Sequence, residues 1–202
     1  MRRAAGMVAL ALLACGPPLE THQTTFDAEL RFFEARKGEE AWDRLGWILN
    51  EAGGTPFGDV WLFVSDKTGT SDKWLIWQEV HVGQSLTSGL RFLYRDQKSG
   101  TWFLYDTFQG AARGPETLEA KTAEQVFAKV TPTDAVDASH FHIFPRAWYL
   151  TLYDGRTIVR KAVLANAREP AAVAGGVYKD VADIVAAIRG LAPWPPPAGA
   201  GK

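Results

Sequence analysis

The chain has 202 residues, a formal net charge of −1, 47% hydrophobic and 12% aromatic residues. A near-neutral balance gives no basic face for nucleic acid, and this aromatic content excludes a disordered chain. The single cysteine, Cys15, excludes an internal disulfide, so stability must come from packing, to which eight Trp and eleven Phe contribute.

Arg2 and Arg3 form a basic start, and Ala4 to Leu13 form an apolar run. That run is well short of the ~20 residues needed to cross a bilayer as a helix. Basic residues before it and small residues after it mark a processing segment. Leu12-Leu13-Ala14-Cys15 resembles the lipobox of bacterial lipoproteins, with Leu13 where that family prefers a small residue. The resemblance implies a signal peptide over 1–14 and lipidation of Cys15 as the new N-terminus. It also implies attachment to membrane lipid in the bacterial cell envelope. Gly16 stands where enteric lipoproteins retained at the inner membrane carry Asp, which favours the outer membrane. The other reading of the same residues is an ordinary secretory peptide cut near Ala14. Removing Arg2 and Arg3 lowers the formal charge from −1 to −3.

Residues 15–25, with Pro17-Pro18 and no apolar periodicity, read as the lipidated cysteine and a tether. A single globular domain is expected over 26–192, followed by a Pro-rich disordered tail over 193–202. Within the domain, Phe26, Leu30 and Phe33 share one face of a first helix that Gly38 ends. A second helix runs from about Glu39 to Ala52, with Trp42, Leu45 and Leu49 on one face, and Gly53-Gly54 and Pro56 stop it. Val60 to Ser65, Trp74 to Val82, Leu90 to Asp96 and Thr101 to Phe108 read as four strands of an antiparallel meander. Trp102 and Leu104 fall on one side of the last strand, Phe103 and Tyr105 on the other. A sheet open to water should alternate more cleanly, so both faces are expected to be covered, or one to line a cavity.

Thr122 to Val130 reads as a third helix, Asp134 to Ser139 as a loop and His140 to Phe144 as a short strand. Arg146 to Tyr153 and Arg156 to Leu164 flank Asp154-Gly155, a strong hairpin signal. Val177, Val181, Ile184, Ile188 and Leu191 mark a final amphipathic helix. The resulting expectation is an α+β fold. It has an antiparallel sheet of about six to seven strands, two N-terminal helices, one mid-chain helix and one C-terminal helix. The helices are expected on one face. The element order is also similar to the helix-grip folds, although the strand those folds place before the first helix is missing.

Few residue sets carry chemistry. Asp66-Lys67-Thr68-Gly69-Thr70 resembles the phosphorylation motif of P-type ATPases, in the haloacid-dehalogenase superfamily. In that family the Asp ends a strand and works with a second hydroxyl, a lysine and a Mg²⁺-binding acidic pair. Those partners are missing from matching positions here, and a polar hairpin loop is the simpler reading. His140 and His142 share one side of an expected strand, and His81 ends another beside Glu79. The imidazoles are weak candidates for a zinc or copper site. They also motivate an alternative function, a periplasmic hydrolase or metal-dependent enzyme. No cofactor and no catalytic residue set is expected. Aromatic rings on the meander, Trp61, Trp77, Trp102, Phe103 and Tyr105, are candidates, some of them lining an apolar groove or cavity that takes an apolar ligand, a glycan or a single protein partner. The favoured expectation is therefore a membrane-anchored, non-catalytic binding module that does not bind nucleic acid.

Overall fold

The computed structural model describes residues 24–53, 58–81, 87–109, 111–140, 146–165 and 179–191. Three helices come first: α1 (Thr24–Ala35), α2 (Glu40–Gly53) and α3 (Gly58–Thr68). Four strands follow: β1 (Ser71–His81), β2 (Thr87–Asp96), β3 (Trp102–Phe108) and β4 (Ala111–Leu118). After α4 (Ala120–Phe127) come β5 (Ala135–His140), β6 (Arg146–Tyr153) and β7 (Ile158–Ala165), and then α5 (Lys179–Leu191). The α+β class and a seven-stranded sheet agree with the expectation.

The sheet runs in the order β4-β3-β2-β1-β6-β7-β5. Every neighbouring pair is antiparallel except β5 with β7, which is parallel, so the sheet is mixed. β1 is the central strand, and it shows why the fold has three layers. Trp74, Ile76 and Val80 point to one face, where Trp42 and Leu45 of α2 and Val64 of α3 join them with Phe92 and Tyr149. Leu75 and Trp77 point to the other face, where Val126 of α4 and Val181, Ile184 and Ile188 of α5 meet Trp102, Trp148 and Leu150. Each large apolar side chain buried in this way contributes roughly 1.5–3 kcal/mol relative to exposure. A strand apolar on both sides must be covered on both sides, and the helices divide accordingly. The expected packing of the helices on one face is therefore corrected: α1 to α3 cover one face, and α4 and α5 cover the other.

Three other expectations change. Val60 to Ser65 is not a strand but part of α3, so three helices precede the sheet. The stretch read as a loop over Asp134 to Ser139 forms most of β5, pairing with β7 from Ala135↔Lys161 onward. β4 was not foreseen at all. It is an edge strand whose residues are mostly exposed, and a register shift opposite Leu104 and Asp106 lets it bend. Gly114 sits at that shift with φ +93, and a Cβ there would stand 2.5 Å from the carbonyl oxygen of Leu104. The next residue, Pro115, has no N–H to offer another strand, which suits an edge position.

The β6–β7 hairpin lies where Asp154-Gly155 placed it. The Asp154 carboxylate accepts the backbone N–H of Arg156 at 2.9 Å and of Thr157 at 3.0 Å. These donors, that of Thr157 first, hold the carboxyl below the usual range. Gly155 supplies the positive φ, +96, that the turn needs.

Candidate binding surface

The five aromatic candidates do not form one groove. Trp77 and Trp102 are each 1% exposed and belong to the core under α4 and α5. Phe103 and Tyr105 lie on the opposite face of the sheet, at the margin of the core under α1 to α3, and are only partly buried. Trp61 lies on α3 rather than on a strand, and its side chain is outside the described residues. The separation follows from the alternation of side chains along β3. A groove lined by some of these rings would draw on Trp77 with Trp102 or on Phe103 with Tyr105, since the two pairs lie on opposite faces.

Phe103 and Tyr105 remain as part of a ring ladder across β2 and β3. Phe92 stacks on Tyr94 at 4.7 Å, and Tyr94 stacks on Phe103 at 5.2 Å. Phe63 of α3 leans over Tyr105 at 4.4 Å and meets Phe92 and Tyr94 edge-on at 6.4 Å each. Lys67, one turn further along α3, carries its ammonium 5.7 Å from the Phe63 ring centroid. Beyond β3 the neighbouring strand offers Thr117 opposite Phe103 and Ala112 opposite Thr107. Small and polar partners there leave the outer rings half-covered. Burial pushes the Tyr94 phenol up to about 12, with the charges of Asp96 and Asp66 adding to it. Burial also raises Tyr105. Both phenols are therefore neutral over the physiological range. The ledge can offer apolar ring faces and a neutral hydroxyl, which suits stacking on an apolar group or a sugar ring.

The histidines are placed far apart. His81, Arg146, Ala165 and His140 occupy successive positions of one transverse row: His81↔Arg146, Arg146↔Ala165 and Ala165↔His140. Three interstrand steps of ~4.8 Å put the two histidine backbones roughly 14 Å apart, with β6 and β7 between them. No group of three His, Cys, Asp or Glu suited to a metal occurs among the described residues. His142 and Cys15 lie outside the described residues.

Asp66 sits in the last turn of α3, not in a hairpin loop and not at the end of a strand. Its carboxylate pairs with Lys67 at 2.9 Å. Thr68 and Thr70 spend their hydroxyls on the carbonyls of Ser65 and Lys67, at 3.1 and 3.2 Å. The Asp-Lys-Thr-Gly-Thr run therefore closes a helix and turns the chain into β1.

The polar groups that sequence reasoning missed are buried in ion-pair networks. Arg91 of β2 grips Asp106 of β3 with two bonds, Nε to Oδ1 at 2.8 Å and Nη2 to Oδ2 at 2.9 Å. Its Nη1 donates to the carbonyl of Ile188 at 2.6 Å, which ties α5 to the sheet. Arg113 of β4 donates to the same Asp106. Nearby, Glu79 of β1 lies 3.4 Å from Arg189 of α5 and 3.7 Å from Arg146 of β6. On the other face, Glu29 of α1 accepts the phenol of Tyr149 and receives Arg160 at 2.8 Å, and the Arg160 guanidinium covers Phe32 at 4.2 Å. Burial of Tyr149, and then the negative charge of Glu29 beside it, push its phenol well above the ordinary value. Arg95 holds Asp72 with two bonds of 2.7 and 2.6 Å and reaches Glu124 of α4, which also takes Lys73 at 2.9 Å. The Arg95 hydrogen bonds keep the Asp72 carboxyl below its usual range. Each network joins a helix or an edge strand to the sheet. The signal was available in the sequence: Arg91 shares parity with Leu93 on β2, and Asp106 shares parity with Trp102 and Leu104 on β3, so both had to point inward.

Comparison with protein-family models, with curated proteins and with solved structures gave no significant match.

Proposed function

We propose that the chain is a lipid-anchored, non-catalytic binding module of the bacterial cell envelope. Its anchor is Cys15, and its contact surface is the ledge of Phe103, Tyr105 and Phe63. The observation that carries the reading is the ledge itself. Its ring faces are half-covered beside an edge strand whose nearest side chains are small or polar. The anchor rests on the order Arg2-Arg3, apolar run, Leu12-Leu13-Ala14-Cys15. No helix among the described residues is long and apolar enough to cross a membrane, and a lipidated cysteine would supply the attachment instead. Stable attachment takes two lipid signals, and a lipoprotein cysteine carries at least two chains. The outer membrane is the favoured site because Gly16 follows the cysteine. The ledge takes an apolar group, a glycan ring or a side chain of one protein partner.

The anchor is tested by feeding cells an alkyne-tagged fatty acid and following the chain through detergent phase separation. Wild type should take the tag and enter the detergent phase, and Cys15→Ser should do neither. An untagged, water-phase wild type overturns the anchor. The ledge is tested by comparing wild type with Phe103→Ser/Tyr105→Ser for cosedimentation with isolated wall glycan, binding of a fluorescent acyl probe and crosslinking in the envelope. The reading requires the double variant to lose at least one of these. Equal behaviour in all three overturns it.

A further inference from the structure

We infer that Trp47 is a lipid-contact residue, and that the outer face of α2 rests on the bilayer when the chain is held there through Cys15. The inference rests on the lipid-anchored reading above and adds the orientation of the domain on the membrane.

Trp47 is 52% exposed, and among the described residues the other exposed large apolar side chain is Ile158, at 37%. Its exposure is fixed by the helix. Trp42, Leu45 and Ile48 form the buried stripe of α2, and at 100° per residue Trp47 projects roughly 200° away from Leu45. The indole therefore points outward from the sheet. The charges around it leave the face weakly acidic, since Asp43 and Glu51 stand one helical turn either side of Trp47 and α2 carries one cation, Arg44. Arg44 pairs with Glu40 within α2, and Arg36 pairs with Glu39 at 3.3 Å across the α1–α2 turn. Such a surface favours a neutral lipid face over an anionic one, and the contact is apolar in origin.

The length of chain before the fold bounds how far the domain can stand from the lipid. Eight residues lie between Cys15 and Thr24, the first residue of α1. Fully extended they reach roughly 30 Å. α1 and α2 are locked together, with Phe32 against Trp42 at 4.9 Å and Phe33 against Trp42 at 6.3 Å. This helix pair is the part of the fold nearest to Cys15 in sequence, whereas α4 and α5 pack on the other face of the sheet. A solitary exposed Trp needs no partner in a freely diffusing protein. A tether this short holds the same ring at high effective concentration against a bilayer. An amphipathic indole prefers the headgroup interface. One ring is too little to attach a protein, so its effect is to orient a domain that the acyl chains already hold.

The test uses the full chain coupled through Cys15, its single cysteine, to a maleimide lipid in phosphatidylcholine vesicles, with and without brominated acyl chains. Coupling fixes attachment whatever the cell does with Cys15, so failure of the contact is read separately from failure of the fatty-acid tag. With eight Trp in the chain, bromine should remove about one-eighth of wild-type emission. Trp47→Phe should abolish that loss while the circular dichroism spectrum stays unchanged. Raising the salt concentration should leave the quenching in place. Equal quenching of both chains, or none in either, overturns the inference. So does a Trp47 that bromine does not reach and that becomes shielded from acrylamide only when envelope protein is added, a result that would assign the surface to a protein partner.

Discussion

Asp106→Ala removes the acceptor at the centre of the most buried ion pair. The Asp106 side chain is 0% exposed and that of Arg91 1%. The substitution deletes both bonds from Arg91 and the bond from Arg113, and leaves the Arg91 guanidinium in the core without its carboxylate, still donating to the Ile188 carbonyl. Breaking one side of a buried pair costs about 3–5 kcal/mol, because the remaining charge stays desolvated. For a chain of 202 residues, a loss of that size lowers Tm by roughly 6–20 °C, at ~2–4 °C per kcal/mol. Urea unfolding followed by far-ultraviolet circular dichroism and by tryptophan emission measures the loss, and the two probes should coincide. The companion variant Arg91→Met/Asp106→Leu removes both charges and keeps apolar volume, so it should recover most of the lost stability. A cost below ~1 kcal/mol for Asp106→Ala, in the range of an exposed pair, would refute the reasoning. So would a double variant as damaged as the single one.

Further outcomes follow from other parts of the fold. Trp102→Ala, which removes a ring packed on Phe127 at 5.2 Å, should cost about 3–5 kcal/mol in the same urea assay. Asp66→Asn should change stability by no more than ~0.5 kcal/mol, since the carboxylate is half-exposed and stands at the unfavourable end of a helix dipole. A base-labile phosphate on Asp66 would contradict its placement. The raised phenols of Tyr94, Tyr105 and Tyr149 stay protonated in the fold after their unfolded counterparts have ionised. Above pH ~10 the unfolded chain therefore binds fewer protons, and stability that is complete below ~10 declines as pH rises towards about 12. Phenolate absorbance at pH ~11 should be lower for the folded chain than for the chain in denaturant, and equal absorbance would contradict the burial.

The strands with dense aromatic and branched residues were legible in the sequence. Arg146 to Tyr153 coincides with β6, and Trp74 to Val82 and Thr101 to Phe108 fall close to β1 and β3. The run Val60 to Ser65 misled because a short apolar stretch looks alike in a strand and in a buried helix. What decides is Val64, which the sheet buries completely from above. β4 escaped notice for the opposite reason. Ala111 to Leu118 has almost no apolar alternation, since an edge strand exposed on both sides owes its shape to hydrogen bonds with β3. Within the candidate site, the parity of β3 already separated Trp102 from Phe103 and Tyr105. What parity could not say is which of the two faces the helices cover more fully. The ion-pair networks needed the same parity argument applied to charged residues, together with partners from distant strands that no local pattern reveals.

The position of β1 has a consequence for how the chain reaches its fold. One flank of β1 pairs with β2, which is next in the chain, so the β1–β4 meander can assemble from nearby residues. The other flank waits for β6: Leu75 faces Leu152, 77 positions further along the chain. Loop closure over that distance is a late and slow contact. During synthesis the central strand would stand with one side unpaired until β6 has emerged. The seam between β1 and β6 is thus where refolding kinetics should be most sensitive to substitution, and where an incomplete chain is most exposed to pairing with another copy of itself.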